Sequence, residues 1–201
     1  MSRHQPFQVI GYHSCDKEIG LEILNGKSQL VNSNNDWDWL GDGIYFWEQN
    51  PHRALEYAIE VQTGHQFNKG KIKTAFVLGA IIQLGNCLNL IETESLKILA
   101  AAYDGLEKTN KQAGSKMPVN NKADRKLDCA VLRYVHQSRI ATNETPYDSI
   151  RSAFDEGIEV YPGASFSSRN HIQICVRNPD LIKGYFLPRP IKEFNPNILL
   201  S

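Results

Sequence analysis

A chain of 201 residues is long enough for one domain with a real core, since domains cluster around roughly 100 to 150 residues. Hydrophobic residues at 41% and charged residues at 22% are ordinary globular usage, which excludes a disordered or fibrous chain. Lysine plus arginine equals aspartate plus glutamate at 22 each, so no global field draws the chain onto nucleic acid or an anionic membrane.

In chain order, residues 7–12 (FQVIGY) form a short β-rich run ending at His13, and Asp16 then precedes KEIGLEILNG. In that segment Ile19, Ile23 and Leu24 have helical spacing, with Gly26 as the stop. The polar cluster NSNNDWD carries Trp37, with Trp39 just after it, and leads into GDGIYFWE, a glycine-framed strand. Asn50 followed by Pro51 matches an N-cap and first helical position. The helix runs to Gly64 with Leu55, Ala58, Ile59 and Gln62 along one side and Tyr57 beside that stripe. Residues 71–90 are apolar and β-branched and read as one or two buried strands at the centre of a sheet.

The apolar spacing is helical again from Thr93 to Tyr103 and from Asp124 to His136, with the polar loop TNKQAGSKMPVNN between. The lysines and arginines around Lys108 to Arg125 are the local patch a nucleic-acid partner would need, though a solvated loop and helix face is the plainer reading. Residues 148–154, 171–176 and 182–187 are strand candidates, the first two flanking a Gly-Pro loop and the last closed by Pro188 and Pro190. Strands at both ends with helices between give an α+β class and a single domain over 1–201, with residues about 93–140 as an excursion.

Cys15, Cys87, Cys129 and Cys175 are far apart and read as buried free thiols. The N-terminal segment lacks an apolar run with a cleavage site, and nowhere are there about 18 consecutive apolar residues, so the expectation is a cytoplasmic, reducing location with no membrane partner. His4, His52, His65 and His136 show no metal-ligand spacing, and no metal site is expected.

Three segments carry candidate chemistry: GYHS at 11–14, GDGIYFWE at 41–48 continuing to Tyr57, and HIQICV at 171–176. Gly41 and Gly43 permit close backbone approach of a ligand, and Tyr45 and Tyr57 can face each other across a gap that suits a flat aromatic ring. Together these segments resemble the histidine-tyrosine branch of the ADP-ribosyltransferases, which includes the poly(ADP-ribose) polymerases and diphtheria toxin. That branch opens with a strand ending in His-Gly-Ser or His-Gly-Thr, and here GYHS supplies His13 with Ser14 in place of the glycine. Its second motif is Gly-x-Gly-Ile-Tyr-Phe followed by a helix bearing another tyrosine. Gly41, Gly43, Ile44, Tyr45 and Phe46 match it, and Tyr57 follows twelve residues beyond Tyr45. Its third is a strand glutamate after a substrate-recognition loop; HIQICV has no glutamate, and Gln173 takes the aligned position with His171 two residues away on the same face.

The resemblance implies a split antiparallel β-sheet core with flanking helices and NAD as co-substrate. In it Tyr45 and Tyr57 sandwich the nicotinamide, His13 hydrogen-bonds a ribose hydroxyl on the adenosine side, and Ser14 contacts the carboxamide. Gln173, or alternatively His171, binds the 2-hydroxyl of the nicotinamide ribose. Cleavage of the nicotinamide–ribose bond develops oxocarbenium character at the anomeric carbon, and a neutral amide supplies neither negative charge nor a proton acceptor. Glu156, in the loop before HIQICV, is the candidate general base or acceptor-orienting group, ahead of Glu159, Asp148 and Arg151. The missing strand glutamate argues for transfer of a single ADP-ribose to a protein, RNA or DNA acceptor. By analogy with bacterial and phage-associated transferases, many of them paired with an antitoxin protein, the chain is expected to be an intracellular toxin or a modifying enzyme. The alternatives are an NAD-dependent RNA 2′-phosphotransferase and a catalytically silent NAD or ADP-ribose binding module.

Overall fold

A computed structural model describes residues 8–64, 71–121 and 124–200. Phe7, His4 and His65 of the sequence reading lie outside the described residues. The chain is mixed α/β, with a seven-stranded, mostly antiparallel sheet and five helices among the described residues. No helix among them is long and apolar enough to cross a membrane.

Strand β1 spans Gln8–Asp16 and helix α1 spans Lys17–Leu24. The strand therefore passes through His13 instead of ending there. Pairing with the third strand continues to Asp16↔Ala75, and Asp16, still extended, doubles as the N-cap by accepting from the Glu18 N–H at 3.0 Å. Strand β2 is Ile44–Glu48 and helix α2 is Pro51–Thr63, capped by the Asn50 side chain on the Arg53 N–H at 2.9 Å and closed by Gly64 in the left-handed region at φ 85°. Its buried stripe is Arg53, Ala54, Ala58 and Val61, not the expected Leu55, Ala58, Ile59 and Gln62, and Ile59 is 47% exposed. Both stripes have helical period; a rotation of part of a turn decides between them, and only the sheet beneath fixes that rotation.

Strands β3 (Ala75–Gln83) and β4 (Cys87–Asn89) divide the central apolar run at the turn that contains Gly85. Helix α3 runs Thr93–Gln112, well past Tyr103, because Leu106, Glu107 and the lysines that follow have high helix propensity even where apolar spacing fails. Helix α4 spans Lys126–Ala141. Strands β5 (Ser149–Phe154), β6 (His171–Val176) and β7 (Ile182–Phe186) and the short helix α5 (Ile191–Phe194) complete the chain.

The strand order is β4-β5-β6-β2-β1-β3-β7, and only β4–β5 is parallel. On one face, α2 covers β1, β2 and β3 through Ala54 in a cluster with Tyr12, Trp47 and Val77, while α3 and α4 cover β5 and β6 through Leu132, Val135, Ile150 and Cys175. The opposite face is wholly apolar over Ile44, Phe46, Ile82 and Ile174, with α1 adding Ile23 against Phe76 and Leu78. Each fully buried side chain of this size contributes roughly 1.5 to 3 kcal/mol. Helix coverage on the first face changes hands above β2, which leaves a cleft there.

Candidate functional site

The cleft follows from how β1 and β2 pair. Strand β1 matches β3 over nine positions, from Gln8↔Gln83 to Asp16↔Ala75, but matches β2 only at Gly11↔Glu48 and Tyr12↔Trp47. From His13 onward one edge of β1 faces no strand. The Gln49 N–H bonds the Ile10 carbonyl at 2.9 Å, and the Lys17 N–H bonds the Thr74 carbonyl on the other side at 3.0 Å. Backbone groups alternate along a strand, so the N–H and C=O of Ser14 point from β1 into the opening. Facing them, Gly43 exchanges hydrogen bonds with Ser33 at 2.8 and 3.0 Å, and the carbonyl of Tyr45, two residues on, lies on the same edge.

His13 bridges the opening, its Nδ1 2.8 Å from the Tyr45 carbonyl oxygen. A carbonyl only accepts, so Nδ1 carries the hydrogen and the neutral ring presents Nε2 as an acceptor. Burial lowers the pKa of His13 and outweighs the Tyr45 bond that raises it, keeping the imidazole neutral near neutral pH. The Ser14 hydroxyl donates to the Ala54 carbonyl of α2. That commits the side chain to holding the helix, and what Ser14 offers a ligand is its backbone.

Tyr45 is fixed at its far end. Its hydroxyl donates to the Gly41 carbonyl at 2.6 Å and accepts from the Leu40 N–H at 2.9 Å, and burial raises its pKa well above the ordinary phenol value. Gly43 is compelled by space: an added Cβ would lie 2.5 Å from Cys175 Sγ and 2.7 Å from the Val176 carbonyl oxygen. Tyr57 packs on Trp47, ring centroids 5.1 Å apart. The cleft encloses about 410 Å³, and His13, Ser14, Gly43, Tyr45, Tyr57 and Gln173 all line it. Gln173 reaches it as the strand partner of Trp47.

His171 and Glu156 do not line this cleft. They meet at Arg53, whose side chain is 5% exposed: Arg53 Nη2 lies 3.1 Å from Glu156 Oε2, and His171 Nδ1 lies 3.8 Å from the same oxygen. His171 Nδ1 is also 2.7 Å from the Arg169 carbonyl, so it donates there; its Nε2 is buried without a hydrogen-bond partner among the described residues. Burial lowers the pKa of His171, partly offset by the Arg169 bond and the Glu156 charge. Arg53 also faces Glu60 at 3.9 Å, which Arg169 holds at 2.7 Å. This cluster at the end of β6 was missed in the sequence. Its trace is the run Arg53, Glu56, Glu60, charges spaced to share one helix face.

Of the remaining candidates, Arg151 lies on the opposite face and forms a two-point ion pair with Glu48, Nη2–Oε1 2.8 Å. Asp148 accepts from the Asn86 N–H at 2.9 Å and serves a turn, and Glu159 accepts from the Gly163 N–H at 2.9 Å within its own loop. The loop after α1 forms the outer wall of the cleft, with Ser33, Asn35, Trp37 and Asp38 lining it. Arg133 of α4 staples that wall, its guanidinium 2.6 Å from Asp36 and 2.8 Å from Asp42. The 93–140 excursion thereby supports the cleft from behind.

No family model matches the chain, and no solved structure matches it. It is similar to an uncharacterized protein of Methanocaldococcus jannaschii, 24% identical over 203 aligned residues that cover 91% of this chain and 90% of the relative.

Proposed function

We propose that the chain is an NAD-dependent mono-ADP-ribosyltransferase that binds NAD in the cleft between β1 and β2. The observation that carries the reading is the convergence there of His13, Ser14, Tyr45, Tyr57 and Gln173, residues separated by up to 160 positions in the chain, on one cleft of about 410 Å³. The free backbone edge at Ser14 suits a carboxamide, which needs one donor and one acceptor side by side. The rings of Tyr45 and Tyr57 give a nicotinamide its flat walls, worth about 0.5 to 1.5 kcal/mol each beyond buried area. The neutral His13 ring offers Nε2 to a ribose hydroxyl, and the Gln173 amide orients the nicotinamide ribose. In the reaction the bond between C1′ of that ribose and the nicotinamide nitrogen breaks, nicotinamide leaves as a neutral ring, and an acceptor nucleophile bonds C1′ and gives up its proton to solvent. Enclosure of the leaving ring keeps water from intercepting the cation.

A second reading, a silent NAD or ADP-ribose binding module, draws on a specific observation: Gln173 is neutral and Glu156 is held at 3.1 Å by Arg53, away from the cleft. Incubation of purified protein with adenylate-labelled NAD and cell lysate separates the two. A transferase releases nicotinamide and labels macromolecules, and both signals fall in His13→Ala. A binding module retains NAD and does neither. Nuclease and protease treatment of labelled material then distinguishes protein from nucleic-acid acceptors. A toxin role, with an antitoxin as partner, is part of the same proposal and predicts growth arrest on expression that His13→Ala relieves.

A further inference from the structure

A second cavity, of about 700 Å³, lies beside the first on the same face of the sheet. Trp39 lines both. On the sheet the two are adjacent as well: Ser152 of β5 lines the second cavity and is the antiparallel partner of Gln173, which lines the cleft. Side chains so paired have Cβ atoms about 4.5 to 5.5 Å apart. Whatever occupies the second cavity therefore sits next to the proposed NAD ribose.

The walls of this cavity say what it would take. The Arg125 guanidinium lies 4.1 Å from the centroid of the Trp39 ring and 5.1 Å from that of Phe154, and Trp39 meets Phe154 edge-on at 5.0 Å. Arg125 thus forms a flat cationic platform backed by aromatic rings, of the kind on which unstacked bases lie. Tyr103, 37% exposed, adds another ring on the α3 side. Asp128 is engaged by Arg125 at 3.5 Å and by the Asn120 amide at 2.8 Å, while Asp155 and the Ser152 hydroxyl are acceptors suited to the amino and imino hydrogens on a base edge.

Charge favours the same occupant. From Lys108 to Lys126 the sequence has six lysines and arginines against one acid, Asp124, a local charge of +5 in a chain whose net charge is zero. That segment ends at the rim, where Arg125 lines the cavity. A cationic protein side chain entering here would meet Arg125, and an acidic one would meet Asp128 and Asp155. A neutral base ring meets neither repulsion, and the phosphate it carries would lie outside, against the basic segment at the rim. We propose that this cavity holds an unpaired nucleobase of a single-stranded nucleic acid and is the acceptor subsite; the acceptor role rests on the transferase reading, the base site does not.

Fluorescence anisotropy of the full chain, without NAD, tests this with a short labelled single-stranded RNA, its DNA counterpart and the duplex of each. Single strands should bind about tenfold or more tightly than duplexes. Tyr103→Ala and Arg125→Gln, with unchanged circular dichroism, should each weaken binding by about five- to 100-fold; the RNA and DNA arms show which sugar is preferred. Duplex bound as tightly as single strand, or variants that bind like wild type, overturns the proposal. So does an arginine-rich peptide that binds the wild type in place of the strand and is lost in the same variants. Nicotinamide release, measured on the same preparations, reads the transferase proposal separately. Strand binding without release sinks the enzyme and leaves the base site, and release without strand binding does the reverse.

Discussion

Removal of one oxygen, by Tyr45→Phe, tests the account of how the cleft is built. The ring and its packing against Leu40, Leu132 and Cys175 remain, so no cavity is opened. What is lost is a pair of hydrogen bonds, one accepted by the hydroxyl from the Leu40 N–H at 2.9 Å and one donated to the Gly41 carbonyl at 2.6 Å. A buried backbone group left unpaired costs about 1 to 3 kcal/mol. Leu40 is 1% exposed, so its N–H bears that cost in full. The Gly41 carbonyl keeps the Cys175 thiol at 3.9 Å, a weak donor, and falls at the low end. The expected loss is about 2 to 4 kcal/mol, or about 5 to 15 °C in Tm for a domain of this size. Urea unfolding followed by tryptophan fluorescence measures it, with the exposed Tyr161→Phe as control, expected within about 0.5 kcal/mol of wild type. A loss below about 1 kcal/mol with an unchanged m value would refute the claim that this hydroxyl fixes the 40–43 turn.

Gly43→Ala should be far more damaging, because its Cβ would meet Val176 backbone at 2.7 Å; the expectation is insoluble expression or a loss beyond about 3 kcal/mol, and a well-folded variant contradicts it. Acidification should destabilise the protein. Burial lowers the pKa of His13, His136 and His171 in the fold, His136 to about 3, while the unfolded chain protonates near 6.5. The stability these rings contribute is therefore complete above about pH 6.5 and falls as pH drops toward the folded values, by up to about 1.4 kcal/mol per unit per histidine. Urea midpoints at about pH 7.5 and 5.5 should differ in that direction and by less in His136→Gln; a midpoint that rises on acidification defeats the assignment. Under the proposed transferase function, Gln173→Ala should lower nicotinamide release by about tenfold or more and His171→Ala by less, since Gln173 lines the cleft and His171 does not; the reverse order transfers the role to His171.

Local rules made much of the scaffold legible. Strand β6 matches its expected 171–176 span because a short apolar run between turn residues admits little else, and helix α2 starts and stops at Asn50 and Gly64, whose side chain and left-handed backbone act within a single turn. The α+β class followed from the order of such runs, and His13, Tyr45, Tyr57 and Gln173 stood out through motifs in which glycine spacing and strand alternation have local meaning. Element ends set by partners were not legible: β1 runs on to Asp16 because β3 extends beside it, and α2 buries Ala54 and Val61 because the sheet beneath selects that face.

The sequence by itself determined which residue types were available for the chemistry, since identity and short-range spacing are written in it. Only the tertiary structure decided where they work. The Ser14 hydroxyl is spent on the Ala54 carbonyl, which leaves only its backbone edge open to the cleft, and Glu156 is held by Arg53 from a helix 103 residues away. Pairing of β1 with β2 stops after two positions, and that opening is the cleft. The physical reason is that a hydrogen bond or ion pair between distant segments depends on how the sheet brings them together, and no local periodicity records it.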